Sequence, residues 1–369
     1  MKITRLAAEH FRNLAPFDLT LSGDAVVLCG GNGQGKTNLL EALYVAATGR
    51  SFRHAAQSDI IAFGEPRARL SASFVRQGVH HALEVELSPG HRRLQVDSRG
   101  VRHAARLLEL LNVVAFFPDD LRVAKGAPEE RRRLLDRAIG NYRPEFVEAS
   151  LAYARILKSR NVLLRDRTRR APQLLQTYDD ELVRYGAVIH SCRVEGLSIL
   201  APLAAARFAA IMPSAGALAL ALHSGVVEAP GEAFADGFRR GLVAARSRDL
   251  ARGTTGVGPH RADLVLSIAG RDARQFASQG QQRAIVLALK LAEVETLTER
   301  LSAPPILLLD DISSELDATH TRTLFAAIDA VGSQLWISTT GTARLPLGHA
   351  AEVFSVQAGV LEKTATLPG

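Results

Sequence analysis

The residues whose chemistry is easiest to name lie near the start of the chain. Gly30-Gly31-Asn32-Gly33-Gln34-Gly35-Lys36-Thr37 fits the phosphate-binding pattern G-x-x-x-x-G-K-[ST] in full. Glycines let the backbone curl until successive N–H groups face one anion. A helix opening behind them adds partial positive charge. All eight residues are therefore expected to bind a nucleotide, ATP. Lys36 is expected on its β- and γ-phosphates, and the Thr37 hydroxyl on Mg2+. A second pattern lies about 270 residues on, where the apolar run Ile306-Leu307-Leu308-Leu309 ends in Asp310-Asp311. Asp310 is expected to hold Mg2+ and Asp311 to orient or deprotonate the attacking water. Lys36, Asp310 and Asp311 are thus the expected catalytic residues. A strand of this kind is expected beside the phosphate-loop strand.

The flanking segments supply the elements these residues need. Ala25-Val26-Val27-Leu28-Cys29 reads as a buried strand, and residues 36–48 as the helix that follows the loop. Residues 2–9, 16–21, 68–76, 80–87 and 92–97 read as strands, as does the run Val113-Val114-Ala115-Phe116-Phe117 before Pro118. The middle of the chain changes period. Phe146, Ala149, Tyr153, Ile156, Arg160 and Leu163 alternate spacings of three and four, and Leu175, Tyr178, Leu182, Tyr185, Ile189 and Cys192 repeat them. That is one seam on two successive helices, an antiparallel hairpin whose tip carries Arg165, Arg167, Arg169 and Arg170. Helices are expected over 197–211 and 232–246, with an irregular segment, Ser214 to Pro230, between them. The last part returns to α/β, with a strand at 263–268, a helix from Gln279 to Arg300, a strand at 305–310, a helix at 317–330 and a strand at 334–339. The expected fold is α/β, a head split in sequence (residues 1–128 and 253–369) around an inserted, mainly helical arm (residues 129–252).

Composition narrows the partners. The net charge is +7, and residues 129–252 hold 20 Lys and Arg against 14 Asp and Glu, so most of the excess lies in the arm. That suits a polyanion such as DNA. The chain is only 5% aromatic, which argues for contact with the backbone of double-stranded DNA rather than base stacking. Arg131-Arg132-Arg133 admits two readings, ion pairs in a helical first turn or contact with phosphate or a partner. His260 and Arg261 follow Gly258-Pro259 and read either as a turn or as a site. No histidine or cysteine has metal-ligand spacing, and Cys29 and Cys192 read as buried thiols of a reducing, cytoplasmic protein. The apolar stretch Ala284-Ile285-Val286-Leu287-Ala288-Leu289 stops at Lys290, so no segment is expected to cross a membrane. The N-terminus lacks the apolar core of a signal peptide.

Ser278-Gln279-Gly280-Gln281-Gln282-Arg283 opens the long helix before the acidic strand. It reads as a capped helix start, and it also resembles the signature motif of ABC-type ATPases. Glu315-Leu316-Asp317 is similar to that family's D-loop. Ser338-Thr339-Thr340 stands where the family carries a switch histidine, with a Thr hydroxyl left to donate. Further segments, Phe11-Arg12-Asn13-Leu14, Gly49-Arg50-Ser51-Phe52-Arg53, Pro118-Asp119-Asp120-Leu121, Ser159-Arg160-Asn161 and Gly258-Pro259-His260-Arg261-Ala262-Asp263, together resemble the RecF family of bacterial recombination mediators. The resemblance implies an SMC-like ATPase head with a short arm. It implies an ATP-dependent homodimer in which Ser278, Gly280 and Gln281 of one copy close the nucleotide site of the other. Arg12 and Asn13 are expected against the nucleotide from their place in the head. It implies binding at DNA gaps or single-/double-strand junctions, and work with RecR and RecO to load RecA. With no histidine switch and Asp311 in place of a longer glutamate, a weak DNA-dependent ATPase is expected. The alternative is an ATP-gated DNA-binding scaffold in which hydrolysis is incidental. A transporter ATPase fits poorly, because the two nucleotide motifs are too far apart in sequence.

Overall fold

The computed structural model of the chain describes residues 1–53, 55–101, 105–118, 120, 123–166, 172–311, 318–341, 345–348 and 350–367. Fifteen strands are present among them: β1 Lys2–Glu9, β2 Phe17–Thr20, β3 Ala25–Cys29, β4 Ala68–Arg76, β5 Val79–Ser88, β6 His91–Val96, β7 Arg99–Val101, β8 Val113–Phe116, β9 Leu218–His223, β10 Asp263–Ile268, β11 Arg271–Asp272, β12 Ile306–Asp310, β13 Leu335–Thr339, β14 Ala351–Gln357 and β15 Val360–Leu367. They fall into two compact units, Met1–Leu121 with Leu287–Gly369, and Arg122–Val286.

The first unit contains two six-stranded sheets. One is antiparallel in the order β2-β1-β4-β5-β6-β7, and its strands alternate buried and exposed positions, as a sheet with one wet face must. The other runs β15-β14-β3-β13-β12-β8 and is parallel except at β15. Its central strands β12 and β13 are buried at every residue, which is why they read as unbroken apolar runs. The acidic strand does not lie beside the phosphate-loop strand as expected. β13 stands between them, pairing in parallel with β3 on one side and β12 on the other. The crossover helix Ala318–Val331 after β12 returns the chain into that gap.

Two buried polar side chains fix the approach to β3. Gln334 accepts from the Ile3 N–H (2.8 Å) and donates to the carbonyls of Ile3 (3.0 Å) and Gly23 (3.1 Å). Glu352, on β14, accepts from the backbone N–H groups of Ser22 and Gly23 (2.7 Å each), the Ser22 hydroxyl (3.0 Å) and Lys363 Nζ (2.6 Å). Burial alone would raise the Glu352 carboxyl; the donors from Lys363, Ser22 and Gly23 outweigh it and hold the pKa at about 2.

The second unit is mainly helical. Helices Pro144–Arg165 and Pro172–Ile211 form the expected hairpin, with Phe146, Ala149, Tyr153, Leu175, Leu182 and Ile189 buried along the seam. The hairpin is asymmetric. Residues 197–211 do not form a separate helix but continue the second one, because Leu200, Ala204 and Phe208 extend its buried stripe past Pro202. By length and hydropathy this 40-residue helix could cross a membrane, against expectation. Its buried Arg193, however, pairs with both Asp136 carboxylate oxygens (2.8 Å each) and donates to the Pro259 carbonyl.

Arg160 is fully buried on the seam and donates to Asp179 (2.7 Å), Asp249 (3.0 Å) and the Thr255 hydroxyl (2.8 Å). The segment Ser214 to Pro230 is not irregular throughout. Its Ala- and Leu-rich β9 pairs antiparallel with β10 over six residues. That pairing ties β10 to β9 within the second unit. The buried Arg131 guanidinium is bidentate to Asp263 (2.8 Å twice), an internal ion pair, whereas Arg133 pairs with Glu129 at the surface. His260 is internal, as Arg131 is. Its Nε2 faces the Thr255 carbonyl (3.0 Å) and its Nδ1 the Tyr153 hydroxyl (2.7 Å), so Nε2 carries the hydrogen and Tyr153 donates. Burial depresses its pKa to about 4, keeping it neutral.

Two stability predictions follow from these buried charges. Arg160→Ala takes the guanidinium from the buried Asp179 and Asp249, leaving them Arg246 and the Gly256 N–H, and is expected to lower stability by about 3 kcal/mol, read from the urea midpoint. For Glu352 the folded pKa lies below the ordinary 4.5, so its contribution, about 3 kcal/mol at most, is complete above that pH and fades as pH falls toward 2. The stability gap between wild type and Glu352→Gln should therefore close as urea titrations move from pH 5 to pH 2.

Candidate nucleotide site

The phosphate loop leaves the carboxyl end of β3 and enters the helix Lys36–Thr48. Gly33 (φ 76°) and Gly35 (φ 112°) take left-handed backbone conformations that side chains resist. Lys36 is buried and folds back over the loop, donating to the carbonyls of Gly30 and Gly31 at 2.7 Å each. Gly30 N–H donates to the Thr339 carbonyl (3.2 Å), which fastens the loop to β13.

Three neighbouring strand ends meet at Asp310. Its Oδ1 accepts from the Thr37 hydroxyl (2.9 Å) and from the Ser338 hydroxyl (2.6 Å). Asp311 takes a left-handed φ of 48°, and its N–H points back to Ser338, with Oγ at 3.0 Å and the carbonyl at 3.2 Å. Burial raises the Asp310 carboxyl above the usual carboxylate range, Ser338, Thr37 and Arg53 oppose the rise, and Asp311 adds to it. A carboxylate and a hydroxyl converging here are hard oxygen donors, a set that fits Mg2+ held by Asp310 and Thr37.

The cavity around this cluster has a volume of about 430 Å3. Asn32, Gly33, Gly35, Lys36, Thr37, Asp310 and Asp311 line it, all of them singled out from sequence. Four further lining residues were not assigned to the site: Asn38, Arg53, Pro118 and Ser338. Arg53 and Pro118 stand in the family-like segments, which was the available signal. Ser338 lies one residue from the expected hydroxyl. Strand alternation turns Thr339 away, and its hydroxyl donates to the Gly341 carbonyl (2.8 Å).

Arg12 and Asn13 sit beside the loop helix but do not line the cavity. Arg12 is bidentate to the buried Glu41 (3.0 and 2.9 Å). Glu41 also accepts from the Ser51 hydroxyl and lies 3.5 Å from Arg53. Arg53 in turn donates to Asn38 Oδ1 (2.8 Å), and Asn38 Nδ2 donates to Asn13 Oδ1 (2.6 Å). Asn13 is thus one hydrogen-bonded step behind the cavity wall, through Asn38, and Arg12 is two steps behind it, through Glu41 and Arg53. Cys29, expected buried, is half-exposed at the end of β3.

Ser278, Gly280 and Gln281 belong to the second unit. Ser278 and Gln281 cap each other: Gln281 N–H donates to Ser278 Oγ (3.2 Å) and Ser278 N–H to Gln281 Oε1 (2.9 Å). Of the arginines at the hairpin tip, Arg165 donates to the Gly253 carbonyl (3.2 Å). Arg167, Arg169 and Arg170 lie outside the described residues, as does the D-loop-like Glu315-Leu316-Asp317.

Comparison with known proteins agrees with this geometry. The family model of the RecF/RecN/SMC N terminal domain matches residues 2–360. The DNA replication and repair protein RecF of Myxococcus xanthus (strain DK1622) is 41% identical over 345 residues, 92% of this chain and 91% of its own length. That of Anaeromyxobacter dehalogenans (strain 2CP-1 / ATCC BAA-258) is 39% identical over 370 residues, 98% of this chain and 99% of its own. A solved structure of the recombination mediator protein RecF with ATP, from the RecFOR pathway, superposes with a TM-score of 0.87 at 29% identity, covering 99% of this chain and 98% of that one. An Smc head bound to the C-terminal winged-helix domain of ScpA superposes at 0.57 with 17% identity over 100% of this chain and 98% of that one, a likeness of fold. Together with the α/β head built around its phosphate loop, these matches show that the chain belongs to the RecF family of DNA replication and repair proteins, with an SMC-like ATPase fold.

Proposed function

We propose that this chain is an ATP-dependent DNA-binding protein of recombinational repair and replication, clamped as a homodimer by nucleotide. The observation that carries the reading is the convergence of Lys36, Thr37, Asp310 and Ser338 on one cavity. The loop N–H groups and Lys36 bind the β- and γ-phosphates of ATP. Thr37 and Asp310 hold Mg2+, which neutralises phosphate charge when bound. Asp311 orients or deprotonates the attacking water. Gly30, Gly31, Asn32, Gly33, Gln34 and Gly35 complete the nucleotide contacts, with Arg12 and Asn13 behind them.

The dimer rests on the Ser278 segment. A Cβ built on Gly280 would meet nothing within 4 Å, and its φ is not left-handed, so the chain's own fold places no demand for glycine there. A bare first turn suits close approach of a second copy's nucleotide, with Ser278 and Gln281 alongside. The family relationship extends this to binding at gaps or single-/double-strand junctions, to RecR as direct partner, and to RecO and RecA in the same pathway. The helical arm, residues 129–252, supplies phosphate contact through Arg165, Arg167, Arg169 and Arg170. The setting is the cytoplasm.

Ser338 in place of an imidazole favours weak, DNA-dependent hydrolysis that resets the clamp. The same feature favours the second reading, a scaffold in which turnover is incidental.

Two measurements test this. Lys36→Arg keeps the charge but crowds the loop, so ATP hydrolysis should fall by about 100-fold; a wild-type rate would remove Lys36 from its role. In light scattering, wild type should pass from monomer to dimer on addition of ATP and Mg2+ with DNA, and Ser278→Arg should not. A mass unchanged by nucleotide would sink the clamp.

A further inference from the structure

The nucleotide loop is braced from the far end of the chain. β14 and β15 are joined by the two-residue turn Ala358-Gly359, with φ of 49° and 82°. Two successive positive φ values are those of a type I′ hairpin turn. Such a turn at a sheet edge normally leaves its polar groups to water. Here three of them are used on the loop and its neighbour. Ala358 N–H donates to the Gln34 side-chain oxygen (2.7 Å). Gly359 N–H donates to the Gln34 carbonyl (2.9 Å), and the Gly359 carbonyl accepts from Ala15 N–H (3.0 Å).

Close packing repeats the pattern. A Cβ on Gly359 would lie 2.0 Å from the Asn13 carbonyl oxygen. On Gly30 it would lie 2.3 Å from the Val356 carbonyl oxygen, and on Gly35 it would be 3.5 Å from Gly359 Cα and 3.0 Å from Leu14 Cδ2. Glycine at loop position 30 is therefore demanded by β14, and not only by the anion. Hydrogen bonds and packing hold both ends of the loop against one hairpin.

We propose that the Ala358-Gly359 turn is a positioning element of the nucleotide site, which fixes Gln34 and the loop around it in the anion-binding shape before nucleotide arrives. The loop N–H groups need a fixed curl to face one phosphate. A tip left to fluctuate would have to be ordered by the ligand, at the expense of affinity. Gly359 touches no nucleotide; it acts through Gln34 and Asn13. The inference rests on the ATP reading given above.

The test uses the full chain and the fluorescent analogue mant-ATP with Mg2+. Gly359→Ala should weaken binding by at least about tenfold, the loss of roughly one hydrogen bond's worth of order. Gln34→Ala, which deletes the side-chain acceptor of Ala358 without adding bulk and leaves the Gln34 backbone N–H for the nucleotide, should weaken it in the same direction and covers the case in which Gly359→Ala does not fold. Gly90→Ala is the control. Gly90 turns at φ 73° between β5 and β6 with open space around its Cβ, so the substitution carries the same backbone penalty with no contact to the loop. It should lower the melting temperature and leave mant-ATP affinity at the wild-type value. Wild-type affinity in both Gly359→Ala and Gln34→Ala overturns the brace, as does an equal loss in Gly90→Ala. Failure of wild type itself to bind mant-ATP overturns the ATP reading instead.

Discussion

The carboxylate of Asp310 joins parts of the chain that are nearly 300 residues apart. One oxygen receives the hydroxyl of Thr37 from the first helix and that of Ser338 from β13. Each donor comes from the carboxyl end of a strand or from the helix that follows one. The contact therefore forms only if β3, β13 and β12 lie in that order and in that register. The requirement reaches outward. β13 must be buried on both faces to occupy the gap, β14 must pair with β3 to back the loop, and the polar clamps of Gln334 and Glu352 must hold the chain where it enters β3. A buried carboxylate with a raised pKa is costly when left without donors. Thr37 and Ser338 supply those donors at the carboxyl end of β12.

Much of this was legible because the physics is local. A loop that curls on glycine and opens a helix declares itself in eight residues. An apolar run that stops at two carboxylates declares a buried strand with a polar end. The seam of the hairpin was visible because its period is carried by large residues, and even Arg160 keeps its place there, bonded through Nε and Nη1 to two aspartates and a threonine. What stayed hidden depends on pairing between distant segments. Nothing in the composition of β12 says that β13 intervenes before β3. β9 is alternating alanine and leucine, a weak pattern whose partner, β10, begins 40 residues later. The boundary between the two compact units, near residue 287, depends on the same kind of long-range pairing. At the site, Arg53 and Ser338 were missed because their roles are set by direction. Arg53 is aimed by Asn38 and Glu41, and Ser338 by the pleat that turns Thr339 the other way.

The buried charges share a logic. Glu41, Arg160, Arg193 and Glu352 each have several partners drawn from different elements, so each can be satisfied by only one arrangement of those elements. Hydrophobic packing rewards many arrangements of similar volume. A buried guanidinium or carboxylate held by partners from several elements penalises nearly all of them. In a chain whose central sheet is assembled from segments at both ends of the sequence, such groups act as registration marks.

The Lys36 ammonium has a further consequence. It already donates to two loop carbonyls, so its charge is partly met from within the loop itself. An arriving anion does not meet an exposed cation; it must compete for a lysine that is partly satisfied.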